Sequence, residues 1–137
     1  MTGATGVGKT WLACTLSNRA CREGLSVRYY RVPRLAHELT LARCDGSFLK
    51  LLGKLARTDL LILDDWALSP LEGQVQHDLL EIIDDRAGAR STIVTSQLPM
   101  AKWHDVIADP SVADALLDRL VRTAVKIEMK GDSLRGK

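Results

Sequence analysis

Apolar positions along this chain recur with two different periods, and the two alternate. Residues 9–23 carry Leu12, Leu16 and Ala20 four apart, with Ala13 beside them, which predicts a helix with one apolar face closed by Gly24. Residues 26–32 (S-V-R-Y-Y-R-V) are rich in β-branched and aromatic side chains and predict a strand ended by Pro33. Residues 34–43 place Leu35, Leu39 and Ala42 on one side of a helix; Asp45-Gly46-Ser47 is a turn; residues 48–56 form a second apolar-rich helix.

The run Leu60-Leu61-Ile62-Leu63 within 59–65 has no polar alternation at all, the mark of a strand covered on both faces in a parallel sheet. Residues 74–86 predict a helix with Leu79, Leu80, Ile82 and Ile83 as its apolar set, residues 92–95 a short strand, residues 112–121 a helix with Val112, Ala113, Leu116, Leu117 and Leu120 inward, and residues 124–129 a last strand before a polar tail. Pro99 and Trp103 fall in a connector. Strands alternating with helices predict a doubly wound α/β fold with a mainly parallel sheet, in one domain over 1–137.

Composition adds little to that picture and excludes some classes. The 137 residues are 46% hydrophobic and 26% charged, the balance of a globular domain with a sizeable core. Nineteen basic against seventeen acidic residues leave a net charge of +2, so any contact with DNA must come from a local patch. Cys14, Cys21 and Cys44 are odd in number and form no C-x-x-C pair, which fits a reducing, cytoplasmic setting. No apolar run approaches 18 residues, so no membrane partner is expected.

The chemistry is carried by short stretches at strand ends. Gly3-Ala4-Thr5-Gly6-Val7-Gly8-Lys9-Thr10 fits the phosphate-loop pattern G-x-x-x-x-G-K-[ST]. Glycines let the backbone approach a phosphate, successive N–H groups form an anion nest, and the helix that begins there adds its positive end. Lys9 would reach the outer phosphates of ATP, and the Thr10 hydroxyl would ligate Mg²⁺. An ordinary Gly-rich turn capping a helix matches the same letters, but a second motif follows about 55 residues on. There the apolar strand delivers Asp64 and Asp65 at its C-terminal end, where open α/β sheets bind ligands. Asp64 would hold Mg²⁺ and Asp65 would orient or deprotonate the attacking water. Thr95-Ser96-Gln97, directly after a strand, offers polar groups for a γ-phosphate or that water. Arg119 lies at the edge of an apolar helix face; it reads either as a surface arginine or as a finger acting on a neighbouring subunit's nucleotide.

Taken together, these stretches resemble the IstB-like transposition helper ATPases, a branch of the AAA+ superfamily close to the DnaC-type helicase loaders. The resemblance rests on Gly3 to Thr10, L-L-I-L-D-D-W at 60–66, L-L-E-I-I-D-D-R at 79–86, S-T-I-V-T-S-Q-L-P at 91–99, A-D-A-L-L-D-R-L-V at 113–121 and G-D-S-L-R at 131–135. It implies a P-loop NTPase three-layer fold, with Walker A at Gly3, Gly8, Lys9 and Thr10 and Walker B at Asp64 and Asp65. It further implies sensor 1 at Gln97 or Ser96, an arginine finger at Arg119, and a late sensor arginine at Arg135. Family members assemble with ATP on DNA and help a transposase engage its target, so the implied partners are DNA, the transposase of the same element and further copies of the chain. They also carry a helical region and a strand before the loop, whereas here only Met1 and Thr2 precede Gly3. The expected sheet therefore lacks its first, central strand, leaving residues 124–129 either apart from the sheet or closed against residues 92–95. Arg28, Arg31, Arg34 and Arg43 are candidate DNA contacts, with a solvated basic face as the plainer alternative.

Overall fold

The computed structural model describes residues 2–3, 8–121 and 128–129. Its centre is β3 (Leu60–Asp64), whose five residues are all buried. An unbroken apolar strand can satisfy its backbone only between two neighbours. Here they are β2 (Val27–Arg31) and β4 (Ser91–Val94), both parallel to it, with Val27 opposite Leu60, Leu60 opposite Ser91 and Leu63 opposite Val94.

Alternate residues of β3 enter two separate cores. Leu60 and Ile62 meet Ala13 and Ala20 of α1 (Lys9–Arg22) on one face. Leu61 and Leu63 join the larger core on the other, with α2 (Val32–Asp45), α3 (Phe48–Arg57), α4 (Gly73–Arg86) and α5 (Pro110–Val121). This is the three-layer arrangement expected. The predicted apolar face of α1 is corrected in one respect: Leu16 is 41% exposed, and it is the two small alanines that let α1 lie close on the sheet. Pro33 sits in the first turn of α2, where its missing N–H costs nothing, so the strand passes straight into the helix. Gly46, at φ 83°, closes α2 in the left-handed conformation, and Ser47 starts α3. The connector around Trp103 is a 3₁₀ helix, Met100–Val106.

The first strand is reduced to two residues. Thr2–Gly3 forms a two-residue β1, paired in parallel with β5 (Glu128–Met129), and Thr2 makes an isolated parallel bridge to Ser96. The sheets are thus β2-β3-β4 and β1-β5, and the Thr2–Ser96 bridge sets β1 between the residues that follow β4 and β5. β5 does not close against β4; it pairs with β1 in a two-stranded sheet apart from the three-stranded one, the first of the two arrangements expected. Two residues suffice to offer it a backbone ladder, and strand N–H and C=O groups take the partner available. Residues 122–127, and the tail with Arg135, lie outside the described residues.

The buried Arg86 fastens the sheet to its helices. Its guanidinium donates to the carbonyls of Leu55 and Thr58 (2.6 Å each) and Ser91 (2.5 Å), and to Thr92 Oγ1 (2.9 Å). It thereby ties the end of α3 to the starts of β3 and β4. Burial pulls its pKa below the ordinary guanidinium value.

Candidate nucleotide site

The last residue of β3 is an acid that the two flanking strands hold. Asp64 is 4% exposed. The Tyr29 hydroxyl, from β2, donates to its Oδ2, and the Thr95 hydroxyl, just past β4, donates to its Oδ1. The N–H of Asp65 also reaches Oδ1, at 3.0 Å. Burial first, and then this hydrogen bond, push the Tyr29 phenol well above its usual range, so it stays a donor at any working pH.

Asp65 begins the turn that leaves the sheet. Its φ is 59°, a left-handed conformation that a short polar side chain tolerates better than most. Arg31 Nε donates to its Oδ2 at 2.7 Å, so the paired acids are gripped one each by Tyr29 and Arg31, alternate residues of β2 on one face. The turn is laced to the end of β4: the Trp66 N–H meets the Thr95 carbonyl at 2.8 Å, and the Ser96 hydroxyl donates to the Trp66 carbonyl at 2.6 Å. Beside Asp65 lies a cavity of about 180 Å³ lined by Val32, Pro33, Ala36, Leu68 and Val75. Asp65, Ser69 and Glu72 complete a lining that is part apolar and part acidic and does not suit a phosphate.

β1, which precedes Ala4, ends at the same edge of the sheet. Leu63 is opposite Val94, and Thr2 is opposite Ser96 two residues further on, so β1 ends level with the residues that follow β3 and β4. All these strands run in parallel; their C-terminal ends form one rim. Gly8 caps α1 at φ 96°, a conformation glycine reaches without strain, and its carbonyl accepts the Leu12 N–H at 2.9 Å. Lys9, the first residue of α1, is buried at 8% exposure. Gly3 is in β1; Ala4, Thr5, Gly6 and Val7, together with the Thr10 side chain, lie outside the described residues.

The remaining candidates are distributed less tightly. Gln97 is exposed, whereas Ser96 is buried and spends its hydroxyl on Trp66 and the Leu98 N–H (3.1 Å). Arg119, on α5, finds Asp84 of α4, the Ala115 carbonyl (3.2 Å) and Asp118 among the described residues. Of the four arginines proposed for DNA, two are committed elsewhere. Arg31 pairs with Asp65; Arg43 pairs with the buried Asp78 at 2.6 Å and lies 3.8 Å over the Phe48 ring. Arg28 and Arg34 are exposed.

Tyr29 is the site residue that sequence reasoning missed, and Thr95, a candidate for the γ-phosphate or the water, here holds Asp64. The signal available was register: residues near the ends of strands parallel to an acid-bearing strand can reach it. The donor set fits a hard divalent cation, because a buried carboxylate held in place by hydroxyl and N–H donors is an oxygen ligand with a fixed orientation. No helix among the described residues is long and apolar enough to cross a membrane, and all three cysteines are free and exposed.

Comparison with known proteins agrees with the fold. The chain is 57% identical over 133 residues to an insertion-sequence ATP-binding protein, y4pL, of Sinorhizobium fredii, covering 97% of this chain and 54% of that protein. It is 62% identical over 99 residues to the protein named as the ATP-binding protein of insertion sequence IS1162 in Pseudomonas fluorescens, covering 72% and 43%. The chain thus spans about half the length of these relatives. Among solved structures it is similar to DnaI (TM-score 0.83, 23% identity, 98% of this chain and 70% of that one). It is also similar to AMPPCP-bound DnaA from Aquifex aeolicus (TM-score 0.80, 22% identity, 98% and 41%). These likenesses show the AAA+ form of the P-loop NTPase fold. The family model of the IstB-like ATP-binding proteins matches residues 1–137 throughout, and with the sequence relatives it shows that the chain belongs to that family.

Proposed function

We propose that this chain is the nucleotide-binding part of an AAA+ ATPase that assists DNA transposition, binding ATP with Mg²⁺ at the rim formed by the ends of β1, β3 and β4. The observation that carries the reading is the buried Asp64, held by Tyr29 and Thr95 on the edge of the sheet where Gly8 and Lys9 begin α1. Gly3 to Gly8 would wrap the phosphates with backbone N–H groups, and Lys9 would meet the outer ones. Thr10 and Asp64 would hold Mg²⁺, which when bound neutralises charge on the β- and γ-phosphates. Asp65 would orient or deprotonate the attacking water, with Gln97 or Ser96 near the γ-phosphate. Arg119 would act on the nucleotide of an adjoining copy, so turnover would depend on assembly, and DNA and the transposase of the same element are the partners of that assembly.

The insertion-sequence relatives favour this over a helicase loader. Three of them match at 53–62% identity, whereas DnaI and the DnaC helicase loader are alike in fold at 23%. A non-hydrolysing assembly fragment is separated by one experiment: titration of a fluorescent ATP analogue and phosphate release at micromolar protein, with and without duplex DNA. Asp65→Asn is expected to keep nucleotide binding and lose turnover. Equal loss of both would make Asp65 a structural or metal-holding residue, and no binding by the unsubstituted chain would refute the reading.

A further inference from the structure

Tyr29 belongs to no nucleotide motif, yet its hydroxyl reaches the most deeply placed acid of the rim. It lies on β2, paired in register with Ile62, and contacts Asp64 two residues further along β3. The residue as a whole is 42% exposed. Burial of the ring therefore explains only part of its presence, and a phenylalanine would pack at that position equally well. What phenylalanine could not supply is the hydroxyl.

The two acids of the rim are held by different chemistry. Asp65 receives a cation, Arg31. Asp64 receives neutral hydroxyls from both flanking strands, Tyr29 on Oδ2 and Thr95 on Oδ1, with the Asp65 N–H also on Oδ1. A hydroxyl donor fixes the plane of the carboxylate, which is how donors behind a metal ligand raise its affinity.

We propose that Tyr29 is a positioning residue, whose hydroxyl on Asp64 Oδ2 orients that carboxylate to take the divalent cation of a bound nucleoside triphosphate. The proposal rests on the nucleotide reading above and adds a specific role for the edge strand. Loss of a donor behind a metal ligand typically costs 10–100-fold in metal affinity.

The test is Tyr29→Phe, read by titration of a fluorescent ATP analogue in EDTA and over a range of Mg²⁺ concentrations, with thermal melting alongside. The expected result is a rise of about tenfold or more in the Mg²⁺ concentration that gives half-maximal enhancement of binding. Affinity in EDTA should stay within about twofold and melting should remain cooperative. An unchanged Mg²⁺ midpoint overturns the proposal, as does an equal loss of affinity with and without Mg²⁺, or a variant that no longer melts cooperatively; the last two would make the hydroxyl a structural group. Absence of nucleotide binding by the unsubstituted chain is a different failure, which removes the nucleotide reading itself.

Discussion

Replacing Arg86 with methionine tests how much the buried anchor between α3 and the starts of β3 and β4 contributes to stability. Methionine keeps an unbranched apolar stem in a site only 1% exposed and removes every donor. The carbonyls of Leu55 and Thr58 are buried and each lies 2.6 Å from the same guanidinium nitrogen; Ser91 and Thr92 lose partners as well. Leu55 is in the last turn of α3, whose carbonyls have no partner within the helix and favour a positive charge nearby. A buried polar group left without a partner costs about 1–3 kcal/mol, so the two buried carbonyls amount to roughly 2–6 kcal/mol. Against this, the desolvation of Arg86 is no longer required, and the downward pull on its pKa shows that this opposing cost is real. The net expectation is a loss of about 3 kcal/mol. For a domain of this size, 1 kcal/mol corresponds to roughly 3–5 °C, giving a fall in Tm of about 10 °C by circular dichroism or calorimetry. Arg86→Lys should fall between the two, since one ammonium cannot span carbonyls on three elements. A Tm for Arg86→Met within about 2 °C of the unsubstituted chain would refute the reasoning, and would mean that water reaches those carbonyls.

Two further outcomes are expected. Arg119→Ala removes an exposed ion pair with Asp84, so Tm should shift by no more than a few degrees and nucleotide binding by monomer should be unchanged, while hydrolysis in an assembled full-length relative is abolished; mixtures with Lys9→Ala subunits should regain some activity, and no rescue at any ratio would remove the finger role. Asp59 accepts from the Ser26 N–H (2.9 Å) and hydroxyl (3.1 Å), which, the backbone bond foremost, hold its pKa below the usual 3.8. A depressed folded pKa gives stability that is complete above the unfolded value and lost as pH falls through the folded one, so the Tm gap between the unsubstituted chain and Asp59→Asn should be widest above about pH 4 and close below it; a gap independent of pH would contradict the pairing.

Sequence alone determined the alternation of elements, because period is a local property: an unbroken Leu60–Leu63 run can only be a strand covered on both faces, and Leu35, Leu39 and Ala42 can share only a helical face. It also marked Gly8, Lys9, Asp64 and Asp65, since phosphate chemistry needs those residue types at strand ends. It could not assign β1 its place between Ser96 and β5, because two residues carry no period and their position comes from backbone partners far away in the chain. Nor could it foresee that Tyr29 and Thr95 grip Asp64, that Arg31 turns to Asp65 instead of outward, or that Arg86 is buried. Each of those depends on register between strands some 30 residues apart, and register is decided only when the sheet assembles and buried donors meet their acceptors.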